Sequence, residues 1–329
     1  MGTPGVQNLH SVGVEILYCL LRQSQPYMKT KTAYPYFFLL PAIFLAAPAL
    51  AELLDQPAFE ISGTLENSKI NEASGLQAGE DGLFFTHNDQ KRDVFIIDRA
   101  GRHLGAFKLD GSKSRDWEDI TRVPGEDGPI LLIADTGDNK NKRKDVELYF
   151  FEEPGLDDLE EDPEIIHKLS VTYPDGPRDV ESVAYDPSSE SILFLSKRDV
   201  PPRLYAIPLG AALGEKELEA EFLAEVPGFR PPSRQDILSS MKRGMWVSQP
   251  TGMDISPDGR TAAVITYRSL YLFSREGEES WAEGFQRPPK EIIGPPGTHD
   301  EAVGFSLDGK TVYVTTERRP APIYRLQLP

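Results

Sequence analysis

The stretch "TGMDISPDGRTAAVITYRSLYLFS", Thr251 to Ser274, holds three short apolar runs separated by two polar turns. Its first turn, Ser256-Pro257-Asp258-Gly259, carries residues that preset a hairpin: proline fixes one dihedral, aspartate caps the turn and glycine accepts the left-handed conformation. The runs are too short for helices and are bounded by turn residues, which predicts strands. The same plan recurs elsewhere. "EASGLQ" begins at Glu72, "EDITRV" at Glu118, "ESVAYD" at Glu181 and "EAVGFS" at Glu301. Each is followed by a turn and a second apolar run: "GLFFTHND", "ILLIADTGD", "ILFLSKRD" and "VYVTTERR". A third run follows in every copy: "VFIID", "VELYFF", "RLYAI" and "IYRLQL". Ser306-Leu307-Asp308-Gly309 stands where the first turn stands in the quoted copy.

Repetition at this period predicts a closed array of supersecondary units. A fourth strand is visible in four copies: "HLGAFKL" (103–109), "IHKLSVTY" (166–173), "EFLAEVP" (221–227) and "KEIIG" (290–294). The fifth copy lacks one, because the chain ends at Pro329, and "AFEISGT" (58–64) is left over at the other end. The expected fold is therefore all-β: a β-propeller of five four-stranded blades, with the N-terminal strand closing the last blade. Six blades are the alternative, for which no spare strands are found. The longest interval between copies holds "RPPSRQDILSSMKRGMWVSQ" (230–249), read as a loop insertion with a helical turn.

The segment 28–51, "MKTKTAYPYFFLLPAIFLAAPALA", has two lysines, an apolar core and an Ala-Leu-Ala cleavage signal, so it is expected to be a secretory signal peptide cut before Glu52. Residues 1–27 are then expected to be an upstream extension preceding the true start at Met28, and 52–329 a single propeller domain. The expected location is the periplasm or the cell exterior, without stable membrane insertion after cleavage. The single cysteine, Cys19, falls in the leader, which leaves the mature chain no disulfide, thiolate nucleophile or cysteine ligand. The net charge of −17 argues against nucleic acid as a partner and favours cations. A monomer is expected.

In a blade, the start of the first strand and the end of the second meet at one mouth of the axis. Glu72, Glu118, Glu181, Thr251 and Glu301 open the first strands. His87-Asn88-Asp89, Asp135 to Asn139, Lys197-Arg198, Tyr267-Arg268 and Glu317-Arg318 end the second strands. Glutamates gathered near an axis raise one another's pKa unless cations intervene. A divalent ion is one remedy, Ca²⁺ most of all, on oxygens of Glu72, Glu118, Asp135, Asp138, Asn139, Glu181 and Glu301. Pairing with Lys197, Arg198, Arg268 and Arg318 is another, and those bases would also suit a small anionic ligand. The competing expectation is that each glutamate only locks a blade, and that Asp135 to Asn139 is only a turn. Trp117 is expected to pack between blades. No nucleophile elbow, zinc helix, P-loop or dinucleotide motif is present. If the site is catalytic, metal-assisted hydrolysis of phosphate esters or lactones is expected, with Glu118, Asp138 or His87 moving the proton.

The stretches "NEASGL…THND", "DWEDI…ADTGDN" and "DVESVAYD…LFLSKR" resemble exported bacterial propellers of the phytase-like and SdiA-regulated type. More distantly, the pattern looks like the gluconolactonase and strictosidine-synthase propellers. That resemblance implies a divalent metal and ligand at the axial mouth, on Glu72, Glu118, Asp135, Asp138, Asn139, Glu181 and Glu301. Those relatives are mostly six-bladed, and Thr251 interrupts the glutamate ring.

Overall fold

In a computed structural model, residues 58–329 are described apart from 160–161, 240–243, 296–299 and 318. The leader, the cleavage signal and Arg318 lie outside the described residues. Gln56–Pro329 form one compact unit. It opens with β1 (Glu60–Thr64), which belongs to the last blade. Blade one is β2 (Ala73–Ala78), β3 (Leu83–Asn88), β4 (Asp93–Asp98) and β5 (His103–Lys108). Blade two is β6 (Asp119–Pro124), β7 (Pro129–Asp135), β8 (Val146–Glu152) and β9 (His167–Thr172). Blade three is β10 (Val180–Asp186), β11 (Ser191–Ser196) and β12 (Arg203–Pro208), completed by β14 (Glu221–Glu225). The chain between β12 and β14 forms helix α1 (Leu209–Gly214) and β13 (Glu217–Glu219). Helix α2 (Arg234–Ser239) lies in the insertion expected to hold a helical turn. Blade four is β15 (Pro250–Ile255), β16 (Thr261–Thr266), β17 (Ser269–Ser274) and β18 (Lys290–Ile293). Helix α3 (Trp281–Gly284), with its Ser280 capping box, separates the last two. Blade five is β19 (Asp300–Phe305), β20 (Thr311–Thr316), β21 (Pro322–Gln327) and β1.

This is a five-bladed propeller closed as the repeat predicts. The innermost strands pack in a ring: β2 on β6, β6 on β10, β10 on β15, β15 on β19 and β19 on β2. Closure comes from β1 pairing antiparallel with β21, so the two ends of the domain share one sheet. One strand was not foreseen. β13 adds in parallel to the outer edge of β9, so blade two carries a fifth strand supplied by blade three's connection. Covering a free edge removes unpaired backbone groups from solvent.

Apolar layers lie between the blades. Blades two and three share Leu132, Phe150, Val183 and Phe194, while blades one and two share Phe85, Ile96, Trp117 and Ile133. Trp117 is fully buried, as expected for a packing residue.

In each innermost strand the first residue in register beyond the mouth is Gly75, Asp119, Ser182, Gly252 or Ala302. Four of these are small, and Asp119 uses the space. Its carboxylate accepts the N–H of Ile120 at 2.9 Å, of Val183 in blade three at 2.9 Å and of Met253 in blade four at 3.2 Å. Two residues further along, the matching positions are Gln77, Thr121, Ala184, Asp254 and Gly304, and Asp254 accepts the N–H of Phe305 in blade five at 2.7 Å. At Gly304 the neighbouring strand comes too close for any side chain. A Cβ on Gly304 would stand 2.3 Å from the backbone oxygen of Leu76, across the seam between blades five and one. Gly304→Ala is therefore expected to lower stability by about 2–3 kcal/mol, the usual cost of overpacking against backbone. Thermal melting of the variant checks this, and an unchanged midpoint would show that the seam gives way without cost.

Candidate functional site

At the mouth where innermost strands begin, four blades carry one extra residue just inside the strand. The register skips at Ser74, Glu181, Thr251 and Glu301, and Glu118 takes the same place in blade two. Such bulges re-aim a side chain out of the regular pleat. The ring is therefore Ser74, Glu118, Glu181, Thr251 and Glu301. Glu72, expected in it, lies two residues too early and is exposed. The reason is that "EASGLQ" aligns on its serine, so the glutamate precedes the strand. Thr251 is not a gap. Its hydroxyl donates to the Asp300 carbonyl at 2.7 Å, tying blade four to blade five.

The residue two before the ring position adds a second acid in blades two and three, Asp116 and Asp179. Asp179 is buried, and one oxygen from each of Glu118, Asp179 and Glu181 lies within 4.8 Å of the others. Asp179 was not foreseen as a site residue, although the spacing "DWE" and "DVE" repeats in the sequence. Burial pushes Glu118 well above the usual carboxylate range, and Glu181, Asp116 and Asp179 push the same way against Lys197. Burial likewise raises Glu181 to about 8, opposed by Lys197 and reinforced by Asp179 and Glu301. Glu301 is raised to about 8 by burial, with Lys197 opposing and Glu317 adding to it. Asp116 rises by burial and by the Asp179 charge. Asp89, at the edge of the cluster, is raised to about 6 by burial, Glu72 and Asp116.

Two cations answer this crowd. Lys197 is buried, pairs with Glu181 and donates to the Tyr267 hydroxyl at 3.0 Å. Tyr267 donates onward to Glu301 at 2.6 Å, so one chain of contacts crosses blades three, four and five. Burial works against the Lys197 charge, but Glu181, Tyr267, Glu301 and Glu118 hold its pKa well above the ordinary value. Arg198 donates to Asp179 at 2.5 Å, pairs with Asn139 and lies over the Trp246 ring at 5.0 Å. Tyr267 and Glu317 stood at the expected strand ends but were not expected to act in the site.

Other expected site residues have different duties. Asp135 accepts the N–H groups of Arg115 and Asp116 and pairs with Arg143 at 2.7 Å, which fixes the loop bearing Asp116. Asp138 accepts the N–H groups of Lys142 and Arg143 at 2.5 and 2.7 Å, a turn held by its own carboxylate. Its backbone N–H donates to Asp179 at 2.7 Å, which helps to place that acid. His87 is fully buried edge-on to Trp117, ring centres 5.5 Å apart, and burial lowers its pKa to about 4. It lies beneath the mouth, in the packing between blades one and two. Arg268 pairs with Asp236 of α2 at 2.7 Å and so anchors the insertion.

No family model matches the chain, and no curated protein matches it in sequence. Among solved structures, the PQQ-bound form of aldose sugar dehydrogenase from Streptomyces coelicolor is similar over 83% of this chain and 98% of that one, with 13% identity and a TM-score of 0.47. The Cps50 (Swd1) β-propeller domain from Myceliophteria thermophila is similar over 79% of this chain and 65% of that one, with 13% identity and a TM-score of 0.36.

Proposed function

We propose that this propeller binds a divalent cation, with calcium favoured, on Glu118, Asp179 and Glu181 at the axial mouth. The observation that carries the reading is the convergence of one oxygen from each of these buried carboxylates within 4.8 Å. Burial and the neighbouring acids raise Glu118 and Glu181, which is the signature of a site that gains by taking up positive charge. Calcium accepts carboxylate oxygens in irregular geometry and tolerates water in the remaining positions. Lys197 and Arg198 border the trio, so a small anion on the ion would find positive charge beside it. The chemistry these residues permit is metal-assisted hydrolysis of a phosphate ester or lactone, with Glu118 as the general base.

A second reading is favoured by the contacts through Lys197 and Tyr267. In it the propeller is a non-enzymatic binding scaffold, and the acids lock blades by sharing protons and one lysine. Calcium added to EDTA-stripped protein separates the two. Under the first reading, calcium at about one hundred times its Kd stabilises the fold by about 2.7 kcal/mol, and Glu118→Gln or Asp179→Asn removes the effect. Binding is stronger at pH 8 than at pH 6, because the ion must displace protons from raised carboxyls. A melting temperature unmoved by millimolar calcium or manganese would sink the metal reading and leave the scaffold.

A further inference from the structure

The opposite mouth of the axis holds a cleft of about 700 Å³, lined by residues from the far ends of the innermost strands of all five blades. Asp254 lines it, and its carboxylate is buried with one hydrogen bond on each oxygen, from Ile255 at 2.8 Å and from Phe305 at 2.7 Å. Arg122 is the single base among the described lining residues. Its guanidinium is committed to Glu153 and Glu80, both at 2.5 Å. No described cation therefore pairs with Asp254. The remaining lining is mixed, with Tyr185, Leu307 and Pro257 as apolar walls and Gln77, Thr121 and Ser306 as polar ones.

We propose that this cleft is a binding site for a small organic ammonium ion with an apolar body. The ammonium would donate to Asp254, and the body would lie against Tyr185 and Leu307. A lone carboxylate already accepting two backbone N–H groups is a poor seat for a metal ion, which needs several oxygens. It suits an N–H donor, because each carboxylate oxygen has a second acceptor direction left. The volume matches that of small-molecule sites, which are mostly apolar with a few fixed polar groups. The charge of −17 over the whole chain draws cations to it. Burial raises Asp254 to about 7, and the other acids near it are Asp119 on β6, which is also buried, and Glu80 at the rim. At pH 8 an unpaired anion thus faces the cleft. The site is separate from the acid trio at the other mouth and does not depend on the metal reading.

The test is calorimetric titration at pH 8 with phenethylamine, using 2-phenylethanol as the neutral probe of the same shape. Phenethylamine is expected to bind at least about tenfold more tightly than 2-phenylethanol, about 1.4 kcal/mol or more. Asp254→Asn is expected to remove that preference. Leu307→Lys, which sets a like charge on a partly exposed rim position, is expected to weaken the amine by about tenfold or more and to fold normally. Leu307→Lys decides the matter if Asp254→Asn does not fold. Equal affinity for the two probes, no binding of the amine, or unchanged amine affinity in Leu307→Lys would each overturn the proposal.

Discussion

Lys197→Met is expected to cost about 3–5 kcal/mol of folding stability at pH 10, where Glu181 and Glu301 are ionised in the wild type, the usual penalty for stripping a buried charge of its partner. The lysine is buried against Glu181 and lies close to Glu118 and Glu301, so its removal leaves those acids facing one another without a cation. The sign of the pH dependence follows from their raised pKa values. Glu181 and Glu301, ordinarily near 4.5, stand at about 8 in the fold. Between those two values the folded chain holds more protons than the unfolded chain, so stability from these groups is complete below the lower value and is lost as pH rises through about 8. Removing Lys197 raises them further and carries that loss on to higher pH. At pH 5 the carboxyls are protonated, and the variant is expected to lose only about 1–2 kcal/mol, the worth of its hydrogen bonds. Urea unfolding of both proteins at pH 5 and pH 10 measures the difference. An equal loss at the two pH values would mean that the lysine acts by packing and not by charge.

Asp119→Ala is expected to cost on the order of 4 kcal/mol. One carboxylate serves N–H groups of blades two, three and four, and each buried donor left without an acceptor costs about 1–3 kcal/mol. The matching positions in the other blades, Gly75, Ser182, Gly252 and Ala302, bring no second carboxylate to replace it. Asp119→Asn keeps one good acceptor and is expected to lose less. Chemical denaturation of the pair checks the order, and an alanine variant as stable as wild type would show that the innermost strands close without this tie.

The architecture was legible because a propeller repeats its punctuation. Turns such as Ser256 to Gly259 and Ser306 to Gly309 mark strand ends by chemistry that acts over four residues. Counting strands then left one spare strand at the start and one vacancy in the last copy, and the ring closes by putting the first in the second. The short parallel strand β13 escaped notice, since "ELE" carries no apolar pattern and owes its pairing to the edge of β9. The ring position at the start of each innermost strand was legible at Glu118, Glu181 and Glu301 but read two residues early in blade one, where a bulge places Ser74 and not Glu72. A bulge is set by the neighbouring strand's hydrogen bonds, and "EASGL" has no local mark of it.

The sequence by itself determined the number of blades, the closing strand and the face on which the acids gather, because each follows from local turn chemistry and a period. Only the tertiary structure decided what those acids meet. Asp179 joins Glu118 and Glu181, Lys197 reaches Glu301 through Tyr267, and Asp135 and Asp138 turn inward to hold loops. Those partners come from different blades. Charge interactions depend on distance and burial, and neither is fixed until the ring has closed.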